Sequence, residues 1–329
     1  MRKVLEVRNL RTYFELVEGK VRAVDGVNLQ LNEGEVLGIV GESGCGKSVT
    51  ALSIMRILPK SARIVDGEIL FWNEKGVLDL AKLDADGEEM RNIRGKDIAM
   101  IFQEPAACFA PVYTVGAQMI EAITLHEDMS KQEARRLALR MLEKVKIPNP
   151  EQVLDRYPFQ LSGGMLQRCM IAMALALNPK VLIADEPTTA LDVTIQAQIL
   201  YLVKQLQKEY RSAIMWITHD MGVIAQIADR VAVMYLGHIV ETARVRDLFR
   251  NPMHPYTRAL LKSIPRLVQR KTKLEAIKGV VPDPYNLPAG CRYHNRCDSF
   301  IEGLCDKQEP IEVEVGEEHR VKCFLYGGK

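Results

Sequence analysis

The sequence predicts an α/β protein whose centre is a buried, mainly parallel sheet with polar residues at its carboxyl edge. Three observations predict it. Gly41-Glu42-Ser43-Gly44-Cys45-Gly46-Lys47-Ser48 fits the phosphate-loop pattern G-x-x-x-x-G-K-[ST], with an apolar run of strand length, Val36 to Val40, before it and helical spacing from Ser48 through Val49 to Met55 after it. The apolar runs Ile98 to Phe102, Val181 to Asp185 and Ile214 to Thr218 are also of strand length, and each leads into polar residues. Finally, 47% hydrophobic and 26% charged residues over 329 positions suit a globular chain with one large core and a smaller second unit.

Taken in order, Val4 to Val7 and Val21 to Val24 read as short strands, with Tyr13 and Phe14 between them, and Val27 to Leu31 alternates as a half-buried strand. In the phosphate loop, glycines let backbone N–H groups turn inward, so that they and the following helix N-terminus form a nest for a β-phosphate. Lys47 supplies a charge for the β- and γ-phosphates, and the Ser48 hydroxyl is placed for Mg²⁺. Residues 67–80 read as a hairpin turning at Asn73-Glu74-Lys75-Gly76. The strand from Ile98 ends at Gln103. Residues 115–145 have helical periodicity, with Ser130 as an N-cap, and this insert breaks at Pro148 and Pro150.

Leu161-Ser162-Gly163-Gly164-Met165 opens an apolar helix running from Cys169 to Leu177, a second anion-seeking helix start in one chain. Asp185 ends its strand and Glu186 follows at once; in phosphate-loop ATPases the first acid holds Mg²⁺ and an adjacent acid can polarise the attacking water. His219 stands at the end of the strand from Ile214. Each feature alone has an ordinary explanation: a helix start, a solvated turn, a hydrogen-bonded histidine. Strand-end residues of a parallel sheet gather at its carboxyl edge, however, and there Gln103, Asp185, Glu186 and His219 can converge on one nucleotide.

A formal charge of +2 with dispersed basic residues gives no footprint for nucleic acid. No apolar run reaches the roughly 18 to 20 residues of a membrane span, and no signal-peptide core opens the chain, so a cytosolic protein is expected. Seven cysteines, an odd number, argue against a disulfide framework in that compartment. Four of them, Cys291, Cys297, Cys305 and Cys323, are separated by five, seven and seventeen residues, beyond a proline-rich stretch without clear periodicity. Clustered thiols of this kind point to a metal or cluster site, although the C-x₂-C knuckle of common zinc sites is missing.

The phosphate loop, Gln103, Leu161 to Met165, Val181 to Asp185 with Glu186, Ala190-Leu191-Asp192 and His219 together resemble the nucleotide-binding subunit of ABC transporters over residues 4–240. The resemblance implies a phosphate-loop ATPase core of ABC type: a RecA-like, mainly parallel sheet with an antiparallel β subdomain, a helical subdomain at about residues 110–165 and a nucleotide-binding domain ending near residue 250. It implies ATP and Mg²⁺ as ligands and a head-to-tail dimer in which Gly41 through Val49 of one chain and Leu161 to Met165 of the other enclose each ATP. Phe14, or less favourably Tyr13, then stacks on adenine; Ser48, Gln103 and Asp185 serve the Mg²⁺; Glu186 is the general base; His219 contacts the γ-phosphate; Asp192 lies across the dimer interface. The implied partners are a homologous ATPase chain, distinct in the first expectation and identical in the second, two membrane-spanning permease subunits contacted through the helical insert at the cytoplasmic face of the membrane, and, indirectly, an extracytoplasmic solute-binding protein.

Residues 251–329, with His254-Pro255-Tyr256-Thr257-Arg258-Ala259-Leu260 and the four cysteines, resemble the C-terminal extension of the oligopeptide and dipeptide importer ATPases. That likeness implies import of peptides or related solutes, and a [4Fe–4S] cluster on Cys291, Cys297, Cys305 and Cys323, with Zn²⁺ as the alternative. Two departures stand out. Cys108-Phe109-Ala110 replaces the usual Ser-Leu-Asn before Pro111, and Leu166 stands where a basic residue is common. Both border surfaces expected to meet partner subunits. The rival reading is a soluble ABC-type ATPase acting on nucleic acid or ribosomes, but the chain has neither the tandem ATPase domain nor the long coiled coil that would favour it.

Overall fold

The computed structural model describes residues 2–74, 76–189, 191–264 and 277–327. Along the chain run β1 (Lys3–Leu16), β2 (Gly19–Asn32), β3 (Val36–Val40), α1 (Lys47–Ile54), β4 (Ala62–Asn73), β5 (Gly76–Asp79), α2 (Glu88–Ile93), β6 (Ile98–Ile101) and α3 (Pro105–Cys108). Then come α4 (Val115–Thr124), α5 (Lys131–Lys144), α6 (Pro150–Leu154), α7 (Gly163–Leu175), β7 (Val181–Asp185), α8 (Val193–Tyr210) and β8 (Ala213–Thr218). The last elements are α9 (Met221–Ile227), β9 (Arg230–Tyr235), β10 (His238–Arg244), α10 (Val245–Arg250), α11 (Pro255–Lys262), β11 (Glu312–Gly316) and β12 (His319–Lys322). The chain divides into two compact units that interleave in sequence: Met1–Leu5, Leu31–Glu35 and Lys82–Trp216 form the first, and Glu6–Gln30, Val36–Ala81 and Ile217–Lys329 the second.

In the first unit, β6 and β7 pair in parallel, Ile98 opposite Val181 and Ile101 opposite Ala184, and every residue of both strands is buried. This is the continuous apolar composition that a sheet covered on both faces requires. Helices α4 to α7 pack beside it, and their starts are written in the sequence. Thr114 caps α4 through its side chain, and Ser130 and Glu133 make a reciprocal capping box on α5. Pro150 was expected to break a helix; it occupies the first turn of α6, where its missing N–H costs nothing.

In the second unit, β9 lies between β3, its parallel partner, and β10, its antiparallel one; β12 and β11 follow in antiparallel order. The four-stranded sheet runs β2-β1-β4-β5. Its first two strands are 14 residues each, where the sequence suggested three short ones, because β1 continues through Arg8 and Asn9, exposed residues anchored by Arg8 to Glu6 and by Asn9 to Asp66. The expected hairpin is present, with Phe71 opposite Leu78.

The extension, read as aperiodic, contributes α11, β11 and β12. Its junction with β10 is organised by Glu241, which is 1% exposed. This carboxylate accepts the N–H groups of Met253 and His254 at 2.8 Å each and bonds His319 Nε2 at 2.8 Å, so one side chain joins β10, the start of α11 and β12. His254 Nδ1 in turn caps α11 by accepting the Tyr256 N–H at 3.0 Å, and burial pushes its ring down to about 3, so it stays neutral. Glu241→Ala is expected to orphan two buried N–H groups and destabilise the chain by roughly 3 kcal/mol, read from urea unfolding midpoints.

Candidate functional site

The second unit holds the phosphate loop. Buried β3 delivers Gly41, where a Cβ would stand 2.1 Å from the Met234 carbonyl oxygen, and Gly46, at φ +108°, would place one 2.2 Å from the Ala23 carbonyl oxygen. Only glycine fits either position. Gly46 is the N-cap of α1 and carries no side-chain cap, which leaves the first N–H groups of that helix directed at the loop. Lys47, 5% exposed, donates from Nζ to the carbonyls of Gly41 at 2.9 Å and Glu42 at 3.1 Å, so its ammonium is folded back across the loop it must neutralise. Ser43 and Gly44 are exposed, Cys45 is buried, and Ser48 and Val49 are half-buried.

Glu42 has a setting the sequence did not announce. Its N–H donates to Tyr256 Oη at 2.9 Å, and its carboxylate accepts Nη1 and Nη2 of Arg296 at 2.7 and 3.1 Å. The HPYTRAL segment and Cys297, next to Arg296, stand out in the sequence, but nothing there connects either to the loop. No local periodicity encodes contacts across more than 200 positions.

Of the two adenine candidates, Tyr13 is 8% exposed and donates its hydroxyl to Asp25 at 2.7 Å. Half-buried Phe14 is the accessible ring of the pair. Asp25 anchors a further network: burial would raise its carboxyl, but hydrogen bonds from His238 and Tyr13 and the guanidinium of Arg292 hold it well below the usual carboxylate range. His219, also in the second unit, is exposed just after β8, and Asp220 beside it caps α9.

The first unit holds the acids. Asp185 ends β7 at 6% exposure, and Glu186 follows in the left-handed region at φ +45°, a strained backbone for a residue with a Cβ. Glu186 Oε2 accepts the Thr189 hydroxyl at 3.0 Å and the Gln103 amide at 3.4 Å, bringing together two residues 83 positions apart. In the signature segment, Ser162 caps α7 by accepting the Met165 N–H at 3.3 Å, and exposed Gly163 follows it after half-buried Leu161. A Cβ on Gly164 would meet Ile195 Cγ2 at 3.3 Å, and Ile195 gives its N–H to Asp192 at 2.9 Å, so the first turn of α8 links the signature to Asp192. Ala190, which precedes that acid in the expected motif, lies outside the described residues.

The four C-terminal cysteines are unpaired. Burial, and after it the nearness of Cys305, Cys323 and Cys297, pushes the Cys291 thiol up to about 12; Cys297 and Cys323 are raised by burial and by neighbouring cysteines in the same way. The Cys291 N–H also donates to the Cys305 carbonyl at 2.8 Å. Among the described residues no three or more His, Cys, Asp or Glu side chains are grouped closely enough to hold a single metal ion, and no helix is long and apolar enough to cross a membrane.

Residues 24–189 match the family model described as ABC transporter, and residues 240–305 the one described as oligopeptide/dipeptide transporter, C-terminal region. The chain is 51% identical over 323 residues to the probable peptide ABC transporter ATP-binding protein y4tR of Sinorhizobium fredii, covering 98% of this chain and 94% of that one. It is 50% identical to the dipeptide transport ATP-binding protein DppD of Bacillus subtilis, over 99% and 95% of the two chains. Among solved structures, the dimeric, post-hydrolysis ATP-binding cassette MJ0796 with ADP and Pi superposes at a TM-score of 0.65 with 29% identity, covering 74% of this chain and 99% of that one. With the phosphate loop, the acid pair and the signature segment in the places described, the chain belongs to the ABC transporter family, as an ATP-hydrolysing subunit of its oligopeptide/dipeptide branch.

Proposed function

We propose that this subunit powers peptide import as one half of a head-to-tail ATPase pair, with Glu186 as the general base. The observation that carries the assignment is the strained Glu186 at the end of β7, its carboxylate held by Gln103 and Thr189. A carboxylate so fixed can orient a water for in-line attack on the γ-phosphate without reorganising at the moment of reaction. Lys47 and the N-terminus of α1 bind the β- and γ-phosphates, His219 contacts the γ-phosphate, and Phe14 stacks on adenine. Ser48, Gln103 and Asp185 offer hard oxygen donors of the kind Mg²⁺ takes, and the ion when bound neutralises phosphate charge.

The exposed Ser162 and Gly163, N-cap and first residue of α7, with Asp192 nearby at the N-cap of α8, complete the partner's site. The partner is a homologous, distinct ATPase chain, an identical chain being the second arrangement. The cassette MJ0796, to which this chain is similar, is itself dimeric in its post-hydrolysis state, and that supports a paired arrangement here. ATP closes the pair by binding the closed form better than the open one, and hydrolysis with product release reopens it; only that difference in affinity can move the transporter.

Permease subunits dock on the helical segment, which makes the nucleotide-binding domain residues 1–250, with residues 110–165 its docking part, and places the chain at the cytoplasmic face of the membrane. The support is an apolar surface. Val112 at 72%, Tyr113 at 60% and Phe159 at 72% exposure lie on two segments joined by the Val115 N–H bond to the Arg156 carbonyl, and Tyr157 stacks on Phe159 at 5.6 Å. Monomeric surfaces rarely gather such side chains without a partner.

In residues 251–329, Cys291, Cys297, Cys305 and Cys323 would hold a [4Fe–4S] cluster through four thiolates. Thiolates on one Zn²⁺, bound at about 2.3 Å, must lie within roughly 4 Å of one another. Those of a four-iron cluster sit on separate irons and stand farther apart; Cys305, Cys323 and Cys297 are near enough to Cys291 to raise its thiol. The cluster would be structural.

Three outcomes are expected. Glu186→Gln should cut ATP turnover of the assembled transporter by about a thousandfold while ATP still binds; unchanged turnover would reject Glu186 as the base. Tyr113→Asp with Phe159→Asp should abolish co-purification with the permease subunits and leave nucleotide binding by the isolated chain intact. Anaerobically purified protein should contain iron and sulfide in equal amounts with broad visible absorption, and stoichiometric zinc without sulfide would overturn the cluster.

A further inference from the structure

We infer that the C-terminal extension is part of the nucleotide-binding machinery: Arg296 and Tyr256 are positioning residues for the phosphate loop, and both act through Glu42. This rests on ATP binding at Gly41 to Ser48, and not on the identity of any group held by the cysteines.

Glu42 is the second residue of the loop, and every polar group it has is engaged. Its N–H goes to Tyr256 Oη, its carbonyl receives Lys47 Nζ at 3.1 Å, and its carboxylate takes both terminal nitrogens of Arg296. The same ammonium also rests on the Gly41 carbonyl, so where Glu42 is held decides where Lys47 waits. A bidentate fork fixes orientation as well as distance, which a lysine in place of Arg296 could not do.

Arg296 is itself immobilised. It is 7% exposed, its Nε donates to the Lys278 carbonyl at 2.8 Å, Nη1 also reaches Tyr235 Oη at 3.3 Å, and the guanidinium lies over the rings of Tyr235 and Tyr293 at 5.8 and 5.9 Å. Tyr256 packs against the same two rings, with centroids 4.7 Å from Tyr235 and 5.3 Å from Tyr293. One aromatic block thus supports both contacts to Glu42. The turn His294–Arg296 ends at Cys297, so the cysteine segment and the loop share a rigid connection.

Charge gives the arrangement a function beyond attachment. A carboxylate one residue into a phosphate loop repels the triphosphate that the loop must receive, and Arg296 cancels that charge from the side of the extension. Removing Arg296 therefore does two things: it frees Glu42 to move and uncovers a negative charge beside the phosphates. A contact that only glued the extension to its neighbours would change stability and leave the affinity of the folded chain alone.

The test is equilibrium binding of fluorescent N-methylanthraniloyl-ATP to the full chain, with thermal unfolding run on each variant. Arg296→Gln should weaken binding about tenfold, the loss shrinking in high salt, and adding Glu42→Gln should recover most of it. Tyr256→Phe, which deletes one hydroxyl and carries the test should Arg296→Gln not fold, should weaken binding severalfold with the salt dependence of the wild-type chain. Unchanged affinity in the folded variants would overturn the inference, and so would a loss that Glu42→Gln does not relieve. Because the readout is binding, either result is distinct from a failure of Glu186 as the catalytic base.

Discussion

The close approach of backbone to backbone around the phosphate loop is the constraint on which the second unit depends. Carbonyl oxygens of Met234 and Ala23 stand where side chains of Gly41 and Gly46 would be, and the Gly237 N–H donates to the Cys45 carbonyl at 2.8 Å. The loop is therefore set against the end of β9 and the turn after it as well as against its own strand and helix. Met234 and Tyr235 sit at the end of β9, and Tyr235 is also a wall of the aromatic block that seats Arg296. The glycines that let phosphates in also let the extension reach the loop.

That reach explains how a short, proline-rich tail is ordered with little apolar core of its own. Its anchors are buried polar contacts: Arg292 to Asp25 and to the Leu236 carbonyl, Arg296 to Glu42, His319 to Glu241. Surface pairs such as Arg63 with Glu15, both more than half exposed, contribute at most about 1 kcal/mol. Breaking a buried pair costs about 3 to 5 kcal/mol, because the abandoned charge has no water to return to. Buried pairs are weak evidence for net stability, but each one here ties a named residue of the extension to a fixed partner outside it.

The parts of this structure that were legible in the sequence are those where chemistry restricts residue type locally. Gly41, Gly46 and Gly164 are forced by contacts that a Cβ would violate or tighten, Ser130, Ser162 and Asp192 by helix ends that need an acceptor, and β3, β6, β7 and β8 by burial on both faces. The long β1 was hidden because its middle is polar and exposed. β11 carried a signal that went unread: Glu312-Val313-Glu314-Val315 alternates with period two, and the exposure of those residues alternates with it. β9 and β10 also went unassigned, although Val231 to Tyr235 is an apolar run of strand length and Leu236-Gly237, both at positive φ, make the turn after it. The Arg296–Glu42 and Tyr256–Glu42 contacts had no such signal, since two long-range polar contacts leave no period behind.

The phosphate loop and the acid pair are held by different physics, each within its own unit. In the second unit the phosphate loop is over-determined, with Glu42 held at three polar groups and Lys47 on two carbonyls, so binding costs little reordering. In the first unit Glu186 sits in a strained backbone at the end of a buried strand, and strain of this kind persists only where neighbours enforce it. Among the contacts that hold its carboxylate are hydrogen bonds from the Thr189 hydroxyl at 3.0 Å and the Gln103 amide at 3.4 Å, both from within the first unit.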